Sequence, residues 1–464
     1  MSRTLMKNAS AVVTCDAKDQ VFRNCDILIE GAEILQIAPG ICCEECEVID
    51  AAGKIVYPGL VNTHHHLFQS FVRNIKSIDC PNMELAEWLD RVYRIFVTLD
   101  AEAIYYASLV SLSDLIKHGC TTAFDHQYCY TPLTGTSPID RQMEAARELG
   151  IRLHSGRGTN TLPRQEGSTM PDGMCETTAG FIADAKRLID TYHDTSRFSM
   201  RQIALAPCQP INCYQETFTE AIKLARETGV RLHTHLAEGE NAIMQRRWGM
   251  RTLDWCKKIG FVGEDVWFAH CWELTDDEWK KMADLGSGVA HCPEAAMVSG
   301  NAVLPLKRLK ELGVTVGLGC DGSASNDGSN LLESVRVAYL MQTHYSKQRG
   351  GCVNPYDILK AATTGSAKLL GRTDIGSLEA GKAADLFMID VSQLNLVGIS
   401  HNPQELIGCA GVTDNVWLTM VNGKIVYQDH RLCFVDEKEL AKKAENLCYK
   451  ILENVPGVLD EPEG

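Results

Sequence analysis

The chain has 464 residues, 45% hydrophobic and 23% charged, a balance that excludes global disorder, a fibrous repeat and a small disulfide scaffold. Its 45 basic and 60 acidic side chains leave a net charge of −15, a field that repels phosphate backbones and anionic lipid. Nucleic acid and membrane are therefore not expected partners, and 19 cysteines scattered without a recurring spacing, behind an N-terminus with no apolar signal core, predict reduced thiols in a cytoplasmic protein.

Residues 1–58 read as short strands with turns: Ala11-Val-Val-Thr-Cys15, Asp26-Ile-Leu-Ile-Glu30, Glu33-Ile-Leu-Gln-Ile37 and Gly53-Lys-Ile-Val-Tyr-Pro58. The cluster Cys42-Cys43-Glu-Glu-Cys46 lies among them, but it lacks the second pair that a structural zinc module uses. From 59 to 370 strands alternate with amphipathic helices. A helix over 100–118 stops at Gly119, and Cys120-Thr-Thr-Ala-Phe124 follows as a strand. Further strands are predicted at 203–206, 230–236, 265–270, 288–291 and 314–320, with helices at 215–228, 252–259, 276–285 and 306–312 between them. Such alternation over roughly 300 residues predicts a parallel sheet closed into a (β/α)8 TIM barrel. Strand texture returns in 371–464, where Asn422-Gly423 marks a hairpin and 437–445 forms a solvated helix face. The two chain ends are expected to build one composite β-sandwich subdomain, with a terminal helix, outside the barrel.

Polar side chains collect where such a barrel places chemistry, at strand ends facing its C-terminal mouth. Pro58-Gly-Leu-Val-Asn-Thr-His64-His65-His66 ends the first strand; side-chain alternation puts His64 and His66 on one face and His65 on the other. Further donors stand in Leu232-His233-Thr-His235-Leu-Ala-Glu238 and Leu318-Gly-Cys-Asp321-Gly-Ser, with His233 on the ligand face one layer deeper. Three imidazoles and a carboxylate suit a borderline-soft divalent ion with room for water, zinc first and iron as the alternative.

In this order, Pro-Gly-Leu-Val-Asn-Thr-His-x-His, His-Leu-Ala-Glu, Ala-His270-Cys, Ala-His291-Cys-Pro and Asp321-Gly-Ser-Ala-Ser-Asn-Asp resemble the amidohydrolase superfamily over essentially the whole chain. The likeness is to its triazine hydrolase and cytosine-deaminase-like branch. Phe68-Gln-Ser-Phe-Val-Arg-Asn, His118-Gly-Cys-Thr-Thr-Ala-Phe-Asp-His-Gln-Tyr, and Gly156-Arg157-Gly with Glu166-Gly-Ser-Thr-Met-Pro-Asp are similar to segments of hydroxyatrazine ethylaminohydrolases and, less closely, of 8-oxoguanine deaminases. The resemblance implies that His64, His66, His235 and Asp321 hold one divalent metal, that Glu238 moves protons, and that His270 assists, with Asp321 also accepting from the attacking water. It implies hydrolytic removal of ammonia or an amine from a small oxo-substituted nitrogen heterocycle, either 8-oxoguanine-like or hydroxyatrazine-like. Pterin or guanine deamination, cyclic amide opening, dechlorination and a noncatalytic barrel are the alternatives.

Gln69, His126 and Arg157 are the expected substrate contacts, Arg157 because a cation at a strand end needs an anionic or carbonyl partner. His65 reads as structural, His291 as a neighbour of the ligands, and Trp88 and Trp272 as packing aromatics. The 201–208 strand carries no lysine of the kind that bridges two ions in binuclear relatives, so a single metal is expected. After His291-Cys-Pro this chain reads Glu294-Ala-Ala-Met297 where many relatives have Ser-Asn, so no pocket contact is carried over there. Barrels with exposed outer helices often pair, which makes a homodimer the expected assembly.

Overall fold

Eight short runs of buried residues form a parallel sheet in the computed structural model, which describes residues 2–75, 77–78, 85–347 and 353–459. The last five residues of the C-terminal stretch lie outside the described residues. The strands are β1 (Leu60–Asn62), β2 (Cys120–Gln127), β3 (Arg152–Thr159), β4 (Arg201–Pro207), β5 (Arg231–Leu236), β6 (Val266–His270), β7 (Gly288–His291) and β8 (Val316–Leu318). Each pairs with the next in sequence order. Helices cover the outside and side chains fill the inside, so both faces are dry, as in parallel sheets generally. The backbone N–H of Thr63 donates to Leu318 O at 2.9 Å and that of Asp321 to His64 O at 3.1 Å, bringing β1 against β8 and the sheet round on itself. This is the (β/α)8 barrel that the sequence predicts.

Two details differ from the sequence reading. β1 ends at Asn62, so the three consecutive histidines stand in the segment after it. The chain has to leave one sheet at Pro58 and enter another at Leu60, and Gly59 permits the crossing because a Cβ there would lie 2.1 Å from Thr121 Oγ1. β3 was marked in the sequence only through Arg157, because Arg152, His154 and Ser155 interrupt its apolar texture although all are buried.

The chain ends meet as expected. Strands Arg3–Val13, Val21–Glu30, Glu33–Ala38, Glu47–Asp50 and Lys54–Pro58 join Leu386–Asp390, Val416–Val421, Lys424–Gln428 and Arg431–Leu432 in one nine-stranded mixed sheet. Its seam is the antiparallel pairing of Lys54–Pro58 with Leu386–Asp390, where Tyr57 faces Phe387 with ring centroids 5.3 Å apart. Asn422 and Gly423, both at positive φ, form the two-residue hairpin. The outer helices carry their own start signals: Asp100 accepts the Ala103 N–H at 2.8 Å, and Thr275 with Glu278 forms a capping box. Every described cysteine is a free thiol, and no single described helix is long and apolar enough to cross a membrane.

Barrel and sheet are tied by a buried charge cluster. Arg152 on β3 pairs with Asp385, donates to Asn422 Oδ1 at 2.6 Å and to Ser199 O at 2.8 Å, and both charged partners are almost wholly inaccessible. Removing one member of such a pair strands the other charge out of water. Asp385→Ala is therefore expected to cost about 3–5 kcal/mol in denaturant-induced unfolding, and a variant as stable as the parent would show that the tie carries no weight.

Candidate active site

The mouth of the barrel gathers side chains from four strand ends. His66 Nδ1 lies 2.8 Å from His126 O and His235 Nδ1 lies 2.7 Å from Cys208 O. A carbonyl can only accept, so each Nδ1 carries the ring proton and each Nε2 presents a bare lone pair. Those two Nε2 atoms stand 3.2 Å apart. His64 Nε2 is buried without a hydrogen-bond partner, 3.5 Å from Asp321 Oδ1, and His66 Nε2 lies 3.4 Å from the same oxygen. Facing lone pairs in a dry site repel unless a cation stands among them. A tetrahedral ion with bonds near 2.1 Å has ligand-to-ligand edges of about 3.4 Å; the three spacings of 3.2, 3.4 and 3.5 Å lie near that length, and these donors suit a metal.

The electrostatics match. Burial drives His64 and His235 far below the ordinary imidazole range and lowers His66 as well, leaving neutral ligands. Burial pushes Asp321 upward, whereas His270, His66 and His235, to the extent that any carries a second proton, and the Gly322 N–H donated at 2.7 Å lower it, and the net direction is down. Asp321, three residues past β8, and His270, the last residue of β6, both sit at positive φ, 62° and 68°. Such non-glycine conformations cost about 1–3 kcal/mol each, and here they turn the side chains into the mouth. The Asp321 loop is also clamped by Gln69, whose Oε1 accepts the Ala324 N–H at 3.3 Å and occupies the space a Cβ on Gly322 would need.

Glu238 follows β5 by two residues, its Oε1 3.3 Å from His270 Nε2 and its side chain 19% exposed. Burial, then Asp321 and Glu240, push its carboxyl well above the usual range, toward the protonated form. His270 is pushed down to about 4 by burial, against the pull of Asp321, and is a neutral imidazole. Its ring stacks on His235 at 5.4 Å and meets Trp272 at 4.6 Å. The turn carrying Glu238 is held by Glu240, which accepts the N–H groups of Ala237 and Glu238, the latter at 2.7 Å. Sequence reasoning missed Glu240; its only sign was a second acid two positions after the first. Gln209, also missed, reaches both Glu238 Oε2 and Glu240 Oε2 at 3.4 Å.

The other predicted residues are placed as follows. Gln69 lies beside the Asp321 loop, with its Nε2 3.5 Å from Tyr128 Oη. His126 is buried beneath the ligands, its ring stacked on His235 at 4.7 Å and its Nε2 donating to Ala206 O at 2.7 Å. Arg157 differs from the substrate-facing cation that the sequence suggested. Its anionic and carbonyl partners come from the protein itself: Asp184 at 2.7 Å, Glu176 at 2.7 and 2.9 Å, and Gly158 O, with Tyr130 stacked beneath. His65 points away, its Nε2 2.9 Å from Ser329 Oγ. His291 is buried with neither ring nitrogen partnered. Trp88 packs half-buried against an apolar cluster and Trp272 is nearly buried. β4 offers no lysine, and the segment after His291-Cys is a short helix, Pro293–Val298, ending in exposed Met297 and Val298.

Comparison with known proteins agrees with this geometry. The amidohydrolase family matches residues 55–426. The chain is 43% identical over 467 residues to hydroxydechloroatrazine ethylaminohydrolase of Pseudomonas sp. (strain ADP), covering 98% of this chain and 97% of that one. It is 36% identical over 432 residues to 8-oxoguanine deaminase of Pseudomonas aeruginosa, covering 91% and 93%. Among solved structures it is similar to an atrazine chlorohydrolase from Arthrobacter aurescens TC1 complexed with zinc, with 30% identity, coverage of 96% and 100%, and a TM-score of 0.91. The chain belongs to the amidohydrolase family.

Proposed function

We propose that the chain is a metal-dependent hydrolytic deaminase or aminohydrolase that replaces an exocyclic amino or alkylamino group on an oxo-substituted nitrogen heterocycle with oxygen. The observation that carries this reading is the Glu238 carboxyl, 3.3 Å from His270 Nε2, beside the lone pairs of three imidazoles and Asp321 gathered at one mouth, where burial raises the carboxyl toward its protonated form. Relatives named for hydroxydechloroatrazine and for 8-oxoguanine support two substrate classes, a hydroxylated triazine and an oxopurine. The likeness to an atrazine chlorohydrolase supports displacement of chloride as the second reading.

His64, His66, His235 and Asp321 would hold a single divalent ion, zinc in first place and iron as the alternative, since β4 supplies no lysine for a second. When bound, such an ion lowers the pKa of water from about 15.7 toward about 7 and so supplies a nucleophile at neutral pH. Asp321, already ionised, takes the proton that water gives up. Glu238 donates its proton to a ring nitrogen, which makes the neighbouring carbon electrophilic. A C–O bond forms there, the exocyclic C–N bond breaks with the proton gathered by Asp321 leaving on the amine, and the proton still on the added oxygen passes to Glu238 as the carbonyl forms. Neutral His270 offers an N–H to the oxygen as charge develops, a contribution of roughly 3 kcal/mol when one donor is well aimed. Gln69, against the Asp321 loop, is the substrate contact this arrangement favours, ahead of buried His126 and internally paired Arg157.

The same reading divides the chain into a barrel over 59–370 and a β unit shared by 1–58 and 371–464. The acidic surface and odd-numbered, scattered cysteines support a cytoplasmic enzyme acting on a free small molecule, with a homodimer as its assembly.

Glu238→Gln should keep its metal while turnover drops by about 100- to 10,000-fold, whereas His235→Ala should lose metal and turnover together; elemental analysis with an amine-release assay reads both. A Glu238→Gln enzyme as fast as the parent would remove the proton-transfer role. Across a panel of oxopurines, pterins and hydroxytriazines, ammonia or amine release from at least one class is expected. Chloride release from chlorotriazines, with no amine from any member, would instead establish the second reading.

A further inference from the structure

His233 is buried one layer below the proposed metal ligands and takes no part in the chemistry above. We infer that it is a positioning residue, which holds His64 in the one tautomer able to bind a metal through Nε2. The inference rests on the metal-site reading.

The chain of protons is set by Trp267. His233 Nδ1 lies 3.0 Å from Trp267 O, and because a carbonyl only accepts, the proton of the His233 ring sits on Nδ1. His233 Nε2 is therefore a bare acceptor. It stands 2.9 Å from His64 Nδ1, which must then be the donor. The second nitrogen of His64 is left as a lone pair, and this is the buried, unpartnered Nε2 that faces Asp321. In the opposite tautomer His64 would aim an N–H at that place and two lone pairs would face each other below it. Trp267 also steadies the other side of the pair, since its indole N–H donates to Thr63 O at 3.1 Å, on the residue just before His64.

His64 differs in this from its partners. His66 and His235 lean on backbone carbonyls, which no side-chain substitution removes, whereas His64 leans on a side chain. The His233 ring is seated by aromatic packing, 4.7 Å from Trp267 and 5.0 Å from Phe124. A phenylalanine at 233 would keep that packing and lose the acceptor, while a glutamine keeps an acceptor oxygen.

Outer partners of metal-bound histidines typically govern 10- to 100-fold in metal affinity. Zinc affinity by chelator competition, together with the absorption spectrum of the cobalt-substituted protein, tests the inference without any substrate. His233→Phe should bind zinc about 10- to 100-fold more weakly with an altered cobalt spectrum, and His233→Gln should recover much of both. His233→Phe with parental affinity and spectrum would overturn the positioning role and leave the metal site standing. Parental protein that binds no zinc would overturn the metal reading and this inference with it. Should both variants fail to fold, nitrogen-15 NMR of histidine-labelled parental protein decides: His64 protonated at Nδ1 supports the inference, and at Nε2 overturns it.

Discussion

Two unprotonated imidazole nitrogens, on His66 and His235, face each other across 3.2 Å in a largely buried site. This contact is unfavourable on its own, and much of the molecule works to maintain it. The carbonyls of His126 and Cys208 take the ring protons on the far sides, so neither nitrogen can relieve the repulsion by picking up the tautomeric proton. Burial makes a second, charged protonation costly. A cation shared with His64 and Asp321, as proposed above, would relieve this repulsion.

That arrangement needs residues 64, 66, 235 and 321 brought within a few ångströms, which the barrel achieves by closing β1 against β8. The left-handed conformations of Ala237, His270 and Asp321 place local strain at the mouth, and two clamps work against it: Gln69 on the Asp321 loop and Glu240 on the Ala237–Glu238 turn. At the opposite end of the strands the Arg152 cluster joins β3 to the terminal sheet. At the mouth His64, His270 and His291 keep buried nitrogens without hydrogen-bond partners, whereas Arg152 at the other end of the strands is paired.

The barrel, the union of chain ends and the side chains that gather at the barrel mouth were legible because they rest on patterns local in sequence. Strand alternation separates His64 and His66 from His65, and turn chemistry announces the Asn422-Gly423 hairpin. β3 was harder to see, since its buried polar residues hide the apolar signature and their partners, Asp385 and Asn422, lie more than 200 positions away. The partners of Arg157 were hidden for a related reason: a cation's need for a partner is visible in sequence, but that Glu176 and Asp184 meet that need depends on the fold. The support beneath the site was the least legible part. Glu240 acts on backbone N–H groups and His233 through a tautomer set by a backbone carbonyl, and every sequence carries those groups at every position.

The central claim, that these four side chains hold a single ion on which activity depends, is tested most directly by metal stoichiometry through a cycle of removal and return. Purified protein should carry about one zinc or iron per chain, lose amine-releasing activity when a chelator strips that ion, and recover it on adding back one equivalent. Protein that stays fully active after verified removal of all divalent metal would contradict the account at its root.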